Sequence, residues 1–215
     1  MDAVGIVLAG GRSTRMGTDK AALEFGGRPL ITQALKILQK SGLAVLISGN
    51  RPDLKTFAPS IDDLGSSRGP LGGICSALQV TSVTALVFVP VDMPLLPSAL
   101  VRSMLQIAQI TGNAVVVPSV NGFAQTFPVV LSRATLPALQ AELQAGRGGC
   151  FSAFQAAAKQ LGQQLHVVRT ELLVQAGQLR HPDGLPPTRW FFNINSVADL
   201  RQAEAFITGK LAMRE

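Results

Sequence analysis

Two glycines, Gly10 and Gly11, stand directly after a short apolar run, and the loop beyond them carries cations that include Arg15 and Lys20. Without a Cβ in the way, glycine backbone N–H groups approach phosphate oxygens closely and form an anion nest. Arginine and lysine within reach of the same loop suit the several negative charges of a nucleoside triphosphate. Farther along, Asp92 closes an almost continuous apolar run, Ala85 to Val91. A carboxylate at the carboxyl end of a central strand stands where open α/β sheets place ligands, and it can hold a hard cation such as magnesium. Asn193 and Asn195 alternate in a strand-like pattern that turns both to one face, a geometry suited to contacting a ligand or a water on the metal. Asn195 serves equally well as the cap of the helix that follows.

The loop matches neither GxxxxGK[ST] nor GxGxxG, so no motif supports a P-loop NTPase or a dinucleotide-binding domain. Cys75 and Cys150 are far apart, without a CxxC and without a nearby histidine, so they read as buried thiols rather than zinc ligands or a disulfide framework. The two histidines, His166 and His181, are assigned no chemistry. The net charge of +6 is scattered and not interleaved with aromatics, which argues against a nucleic-acid partner and is accounted for by a polyanionic small substrate.

Positioning such residues requires strands and helices in alternation. Strands are expected at Val4–Leu8, Ala44–Ser48, Ala85–Val91, Ala114–Pro118, Phe127–Leu131, Leu165–Val168 and Phe191–Ile194. Helices are expected from Pro29 to about Lys40 and at Leu71–Val80, Ser98–Ile110, Thr135–Gln144, Phe151–Leu161 and Val197–Ile207. Thr135 is expected to cap its helix, and Asn50–Arg68 reads as a polar connection. The turn-rich piece His181-Pro182-Asp183-Gly184 finds no place in this scheme. The alternation predicts an α/β fold with a mostly parallel sheet flanked by helices. The 215 residues suffice for one domain, 1–215, with 47% hydrophobic and 15% charged residues. The most apolar stretch, Val83 to Leu96, is broken by Pro90, Asp92 and Pro94, so no membrane span is expected. The start of the chain lacks the features of a secretory signal, so a cytoplasmic location is expected.

The run Leu8-Ala9-Gly10-Gly11-Arg12-Ser13-Thr14-Arg15-Met16-Gly17-Thr18-Asp19-Lys20-Ala21 closely resembles the signature loop of the molybdenum cofactor guanylyltransferases, within the nucleotidyltransferase superfamily. Gly69-Pro70-Leu71-Gly72-Gly73-Ile74, Pro90-Val91-Asp92-Met93-Pro94 and Phe192-Asn193-Ile194-Asn195-Ser196-Val197-Ala198-Asp199-Leu200 resemble that family's later motifs, in order. The resemblance implies a Rossmann-like three-layer fold and transfer of GMP from GTP to molybdopterin with magnesium, releasing pyrophosphate. It implies nucleotide contacts from Leu8, Ala9, Gly10, Gly11 and Lys20, and from an aspartate before the Gly-Pro-Leu motif, either Asp62 or Asp63. Arg15, Lys20 and Asp92 are the expected catalytic groups, and molybdoenzymes or delivery chaperones are candidate recipients of the product. Two rivals remain: a CTP-dependent cytidylyltransferase acting on molybdopterin or on a sugar or polyol phosphate, and a non-catalytic nucleotide-binding module. Where the family shows His-Pro after the third motif, this chain has Gln125-Thr126-Phe127-Pro128-Val129, and its stretch 145–189 is longer than the family leads one to expect.

Overall fold

The computed structural model describes residues 2–10, 19–63, 69–147 and 149–211. Gly11 and Arg15 lie outside them. In chain order the elements are β1 (Ala3–Leu8), β2 (Glu24–Phe25), β3 (Arg28–Pro29), α1 (Leu30–Gln39), β4 (Ala44–Ser48), β5 (Ser60–Ile61), α2 (Gly69–Val80), β6 (Ala85–Pro90), α3 (Ser98–Thr111), β7 (Val115–Val120), β8 (Phe123–Ala124), β9 (Val129–Ser132), α4 (Leu136–Gln144), α5 (Cys150–Gln160), β10 (His166–Arg169), α6 (Thr170–Gln175), α7 (Pro187–Trp190) and α8 (Val197–Leu211).

The main sheet runs β10-β7-β9-β6-β1-β4-β5, with β8 paired to β7. β5, β4, β1 and β6 are parallel, β9 is antiparallel to both β6 and β7, and β10 is parallel to β7. Both faces are covered, which is why the central strands read as unbroken apolar runs. Val87 and Val89 of β6 join Val7 in a core with α1 and α3. Leu86 and Phe88 join Ile6 in a second core with α2, α4 and α5. Each such fully buried large side chain contributes roughly 1.5–3 kcal/mol. α1 lies so near β1 that a Cβ on Gly5 would sit 3.0 Å from Leu38 side-chain atoms.

Four local details differ from the sequence expectation. Residues 191–195 form no strand; the segment is tied to the Asp92 loop instead by Ile194 N–H, which donates to the Asp92 carbonyl (2.9 Å). Thr135 does not cap α4, because its hydroxyl donates to the Ser132 carbonyl (2.7 Å), and Ser132 Oγ caps a 3-10 turn before the helix by accepting from Ala134 N–H (3.3 Å). The polar connection after β4 contains the short strand β5, paired with the end of β4. β7 and β8 form a hairpin across Asn121-Gly122, both at positive φ (52° and 79°), the dipeptide that favours a two-residue turn matched to strand twist.

Cys75 is buried and Cys150 half-buried, both reduced; burial first, with the neighbouring Cys150 adding to it at Cys75, pushes each thiol up to about 11. Among the described residues no helix is long and apolar enough to cross a membrane.

Candidate active site

The chain leaves β1 at Leu8, passes to β4 on one side and later to β6 on the other. This makes the crevice beyond the carboxyl end of β1 the topological switch point of the sheet, where ligands bind in such folds. Backbone bonds draw the loops together there: Ala9 N–H donates to the Ser48 carbonyl (3.0 Å), Val91 N–H to the Leu8 carbonyl (3.2 Å) and Gly49 N–H to the Ile61 carbonyl (3.1 Å). Leu8 and Ala9 are consequently buried, while Gly10 emerges exposed.

Three glycines keep the crevice open. Gly49 adopts φ +137°, and a Cβ there would lie 2.9 Å from the Gly10 nitrogen. A Cβ on Gly73, in α2, would lie 2.7 Å from Ser48 Oγ and 3.4 Å from Asp63 Oδ1, and one on Gly10 would lie 3.8 Å from Asp63 Oδ2. Of the two candidate aspartates, Asp63 therefore lines the crevice beside Gly10, whereas Asp62 is exposed. Its backbone N–H donates to Asn50 Oδ1 (2.9 Å), yet Asp63 Oδ1 is buried without a partner in the described structure. Burial, reinforced by the Asp62 charge, raises the Asp63 carboxyl above the ordinary carboxylate range. A buried, unpaired acceptor facing a glycine-lined crevice is a group that a ligand donor can satisfy.

Lys20 begins a 3-10 turn, Lys20–Ala22, whose start is capped by Asp19 Oδ1 accepting from Ala21 N–H (3.1 Å). From there Lys20 Nζ donates to Asp92 Oδ2 (3.1 Å) and to Asn195 Oδ1 (2.7 Å). Both members of the Lys20–Asp92 pair are about one-fifth exposed, so the cation and carboxylate are sheltered but reachable. Asn195 is fixed by α8: its N–H donates to Asp199 Oδ2 (2.9 Å), and Ser196 Oγ accepts from Asp199 N–H (3.1 Å). Ser196 is thus the cap, which frees the Asn195 side chain for Lys20. Hydrogen bonds to the Asp199 carboxyl, from the Asn195 N–H first and from the Ser196 side chain second, hold it below its usual range. Asn193 and Asn195 are both exposed and flank the buried Ile194, so their alternation survives without a sheet ladder.

The structure therefore brings Lys20, Asp92 and Asn195 into one hydrogen-bonded group and places Gly10 and Asp63 side by side; it does not join Asn193 or Asp62 to either set. Arg51 and Asn50 were not anticipated. Arg51 holds the Asp19 carboxylate with two nitrogens, one at 2.9 Å, and also bonds Asp53. Asn50 and Arg51 follow β4 after Gly49, in a polar stretch where nothing local marks them.

The turn-rich piece that the sequence left unplaced has a positioning role. His181 is buried, with one ring nitrogen 2.9 Å from the Leu95 carbonyl and the other accepting from Asp183 N–H (3.1 Å). It packs on Trp190, whose indole N–H donates to the Leu185 carbonyl (2.8 Å). This segment docks beside the Asp92 loop and hands the chain to Ile194 and Asn195.

Residues 5–166 match the MobA-like NTP transferase domain. A molybdenum cofactor guanylyltransferase from Xanthomonas euvesicatoria pathovar vesicatoria is 49% identical over 107 residues, 49% of this chain and 54% of that protein, so this match spans about half of each. One from Rhizobium meliloti is 29% identical over 211 residues, 94% of this chain and 90% of the relative. The latter span necessarily includes residues 145–189. In fold, the molecule is similar to the crystal structure of molybdopterin-guanine dinucleotide biosynthesis protein A from Archaeoglobus fulgidus, with a TM-score of 0.75 over 95% of this chain and 98% of the other at 19% identity. A sheet with its switch point at a glycine-lined crevice, the Lys20–Asp92 pair beside it, and these matches lead to one conclusion: the chain belongs to the MobA-like NTP transferase family of nucleotidyltransferases, together with the molybdenum cofactor guanylyltransferases.

Proposed function

We propose that this protein transfers GMP from GTP to molybdopterin, forming the molybdopterin guanine dinucleotide and releasing pyrophosphate. The observation that carries the reading is the convergence of Lys20, Asp92 and Asn195 at the switch point, beside the crevice lined by Gly10, Gly49, Gly73 and Asp63. The named relatives supply the identity of donor and acceptor.

In this reading the nucleotide lies along the crevice, with Leu8, Ala9, Gly10 and Gly11 against it and Asp63 accepting from it. A terminal phosphate oxygen of molybdopterin attacks the α-phosphorus of GTP, a new P–O bond forms, and the bond to the bridging oxygen breaks as pyrophosphate departs. The attacking phosphate monoester is largely ionised near neutral pH, so no general base is needed. Lys20 and Arg15 neutralise charge on the phosphates, and positioning supplies much of the acceleration. Asn193 and Asn195 face the acceptor side.

Asp92 is the residue suited to hold magnesium. It offers a hard, partly exposed carboxylate, and no group of three His, Cys, Asp or Glu gathers among the described residues. That donor set fits a cation bound through one protein carboxylate with phosphate and water oxygens completing the shell. When bound, the ion supplies further neutralisation of phosphate charge.

The test is pyrophosphate release with GTP, magnesium and molybdopterin, compared with GTP alone and with CTP in place of GTP. Release only in the complete GTP mixture supports the reading. Preference for CTP turns it into a cytidylyltransferase, and nucleotide binding without release with either donor identifies a non-catalytic module.

A further inference from the structure

We infer that Arg51 is a positioning residue that sets the place of Lys20, acting through Asp19; the inference rests on the proposed nucleotidyl transfer and names a further part of that site. A three-residue 3-10 turn has little cooperativity of its own, so the turn that presents Lys20 needs an outside anchor. Its only described side-chain cap is Asp19 Oδ1 on Ala21 N–H. A lone aspartate can rotate away from that cap. Here Arg51 prevents it: Nη1 donates to Asp19 Oδ1 (2.9 Å), and Nη2 donates to Asp19 Oδ2, so both carboxylate oxygens are fixed by one planar fork.

The fork is itself held. Nε donates to Asp53 Oδ1 (2.9 Å) and Nη2 to Asp53 Oδ2 (2.6 Å), with Asp53 in the 3-10 turn Pro52–Leu54. The Arg51 side chain is 17% exposed, against 38% for Asp19 and 56% for Asp53, so the guanidinium is the sheltered centre of the group. The hydrogen bonds that it donates to Asp53 and then to Asp19 hold Arg51 still more firmly protonated than an ordinary arginine. Its chain neighbours act on the rest of the crevice: Gly49 packs on Gly10, and Asn50 fixes the Asp63 backbone. The run 49–51 after β4 thus ties Gly10 and Asp19, both between β1 and β2, to Asp63 beyond β5. A lysine at 51 carries the charge but cannot hold both Asp19 oxygens while also engaging Asp53.

The deciding experiment measures kcat and the KM for GTP, together with the melting temperature, for Arg51→Lys, Asp19→Asn, the double variant and Asp53→Asn. Arg51→Lys is expected to lower kcat/KM for GTP about tenfold with Tm within about 3 °C of wild type, and to add less than about twofold in the Asp19→Asn background, because coupled residues are not additive. Asp53→Asn leaves the Asp19 fork in place and is expected to lose less than about threefold. Wild-type kinetics for Arg51→Lys, full additivity with Asp19→Asn, or a loss that follows a fall in Tm would overturn the inference. If the wild-type protein releases no pyrophosphate under any donor, the proposed function fails, and the same four variants are read by calorimetric binding of GTP. Coupled weakening then sustains the clamp, and independent or absent weakening rejects it.

Discussion

The crevice at the ends of β1, β4 and β6 and the segment from residue 179 to 195 are built on opposite principles. The first is lined by glycines and charged groups, and one carboxylate oxygen in it, Asp63 Oδ1, is buried and unpaired. The second inserts Leu179, His181, Leu185, Trp190, Phe191 and Ile194 into the core, with its polar atoms matched to backbone partners. One region holds groups ready for a ligand at some cost to stability, and the other supplies stability while delivering Asn195 to Lys20. Chemistry and stability are thus separable here, and substitutions should divide accordingly.

The largest expected effect lies in the second region. Trp190→Ala should destabilise the fold by about 3–5 kcal/mol, seen in denaturant unfolding, by leaving a cavity and orphaning the Leu185 carbonyl. Full stability with lost turnover would break the division. Lys20→Ala should show the converse, a loss of about a hundred- to thousandfold in kcat/KM with little change in Tm, because a preorganised cation facing phosphate is removed from a partly exposed position. Steady-state kinetics beside a melting curve checks both halves of that statement. Gly49→Ala straddles the division: strain at φ +137° and the approach to Gly10 should cost about 1–3 kcal/mol and also weaken GTP binding. A variant that binds GTP normally would show that the close approach of the two glycines is dispensable.

The smallest effect sharpens the comparison most. Asp63→Asn should raise Tm by about 1–2 °C while reducing GTP affinity, since it removes a buried carboxylate without a partner. The pH dependence has a definite sign. Folding raises this carboxyl above its ordinary value, so its contribution favours the fold at pH below the unfolded value and is lost as pH rises through the folded one. Asp63→Asn should remove that slope, and an unchanged stability–pH profile would rule out the buried carboxylate as its origin.

Legibility in the sequence followed the range of the interactions. The apolar runs of β1, β4, β6 and β7 and the helical faces of α1 and α3 arise within about ten residues, and they were readable. The Asn121-Gly122 hairpin went unread, because its strand β8 has only two residues and gives no periodic signal. The expected strand at 191–194 misled because Phe191, Ile194 and the alternating asparagines mimic a strand pattern, while the segment docks on the Asp92 loop through the Ile194 N–H rather than through a sheet ladder. Arg51 lay in a polar stretch without periodicity, and nothing local distinguishes a clamp from a solvated cation.

What the residues determined by themselves is the α/β alternation, the glycine-rich loop after the first strand with Lys20 beyond it, and Asp92 at the end of the third long apolar run. Periodicity, propensity and residue type carry that information. Only the tertiary structure decided that β9 runs antiparallel, that Asp63 rather than Asp62 meets Gly10, that Ser196 rather than Asn195 caps α8, and that Lys20 joins Asp92 and Asn195 from 72 and 175 residues away. Those outcomes depend on the order of strands in the sheet and on which side chains its two cores bury, so they belong to the folded chain as a whole.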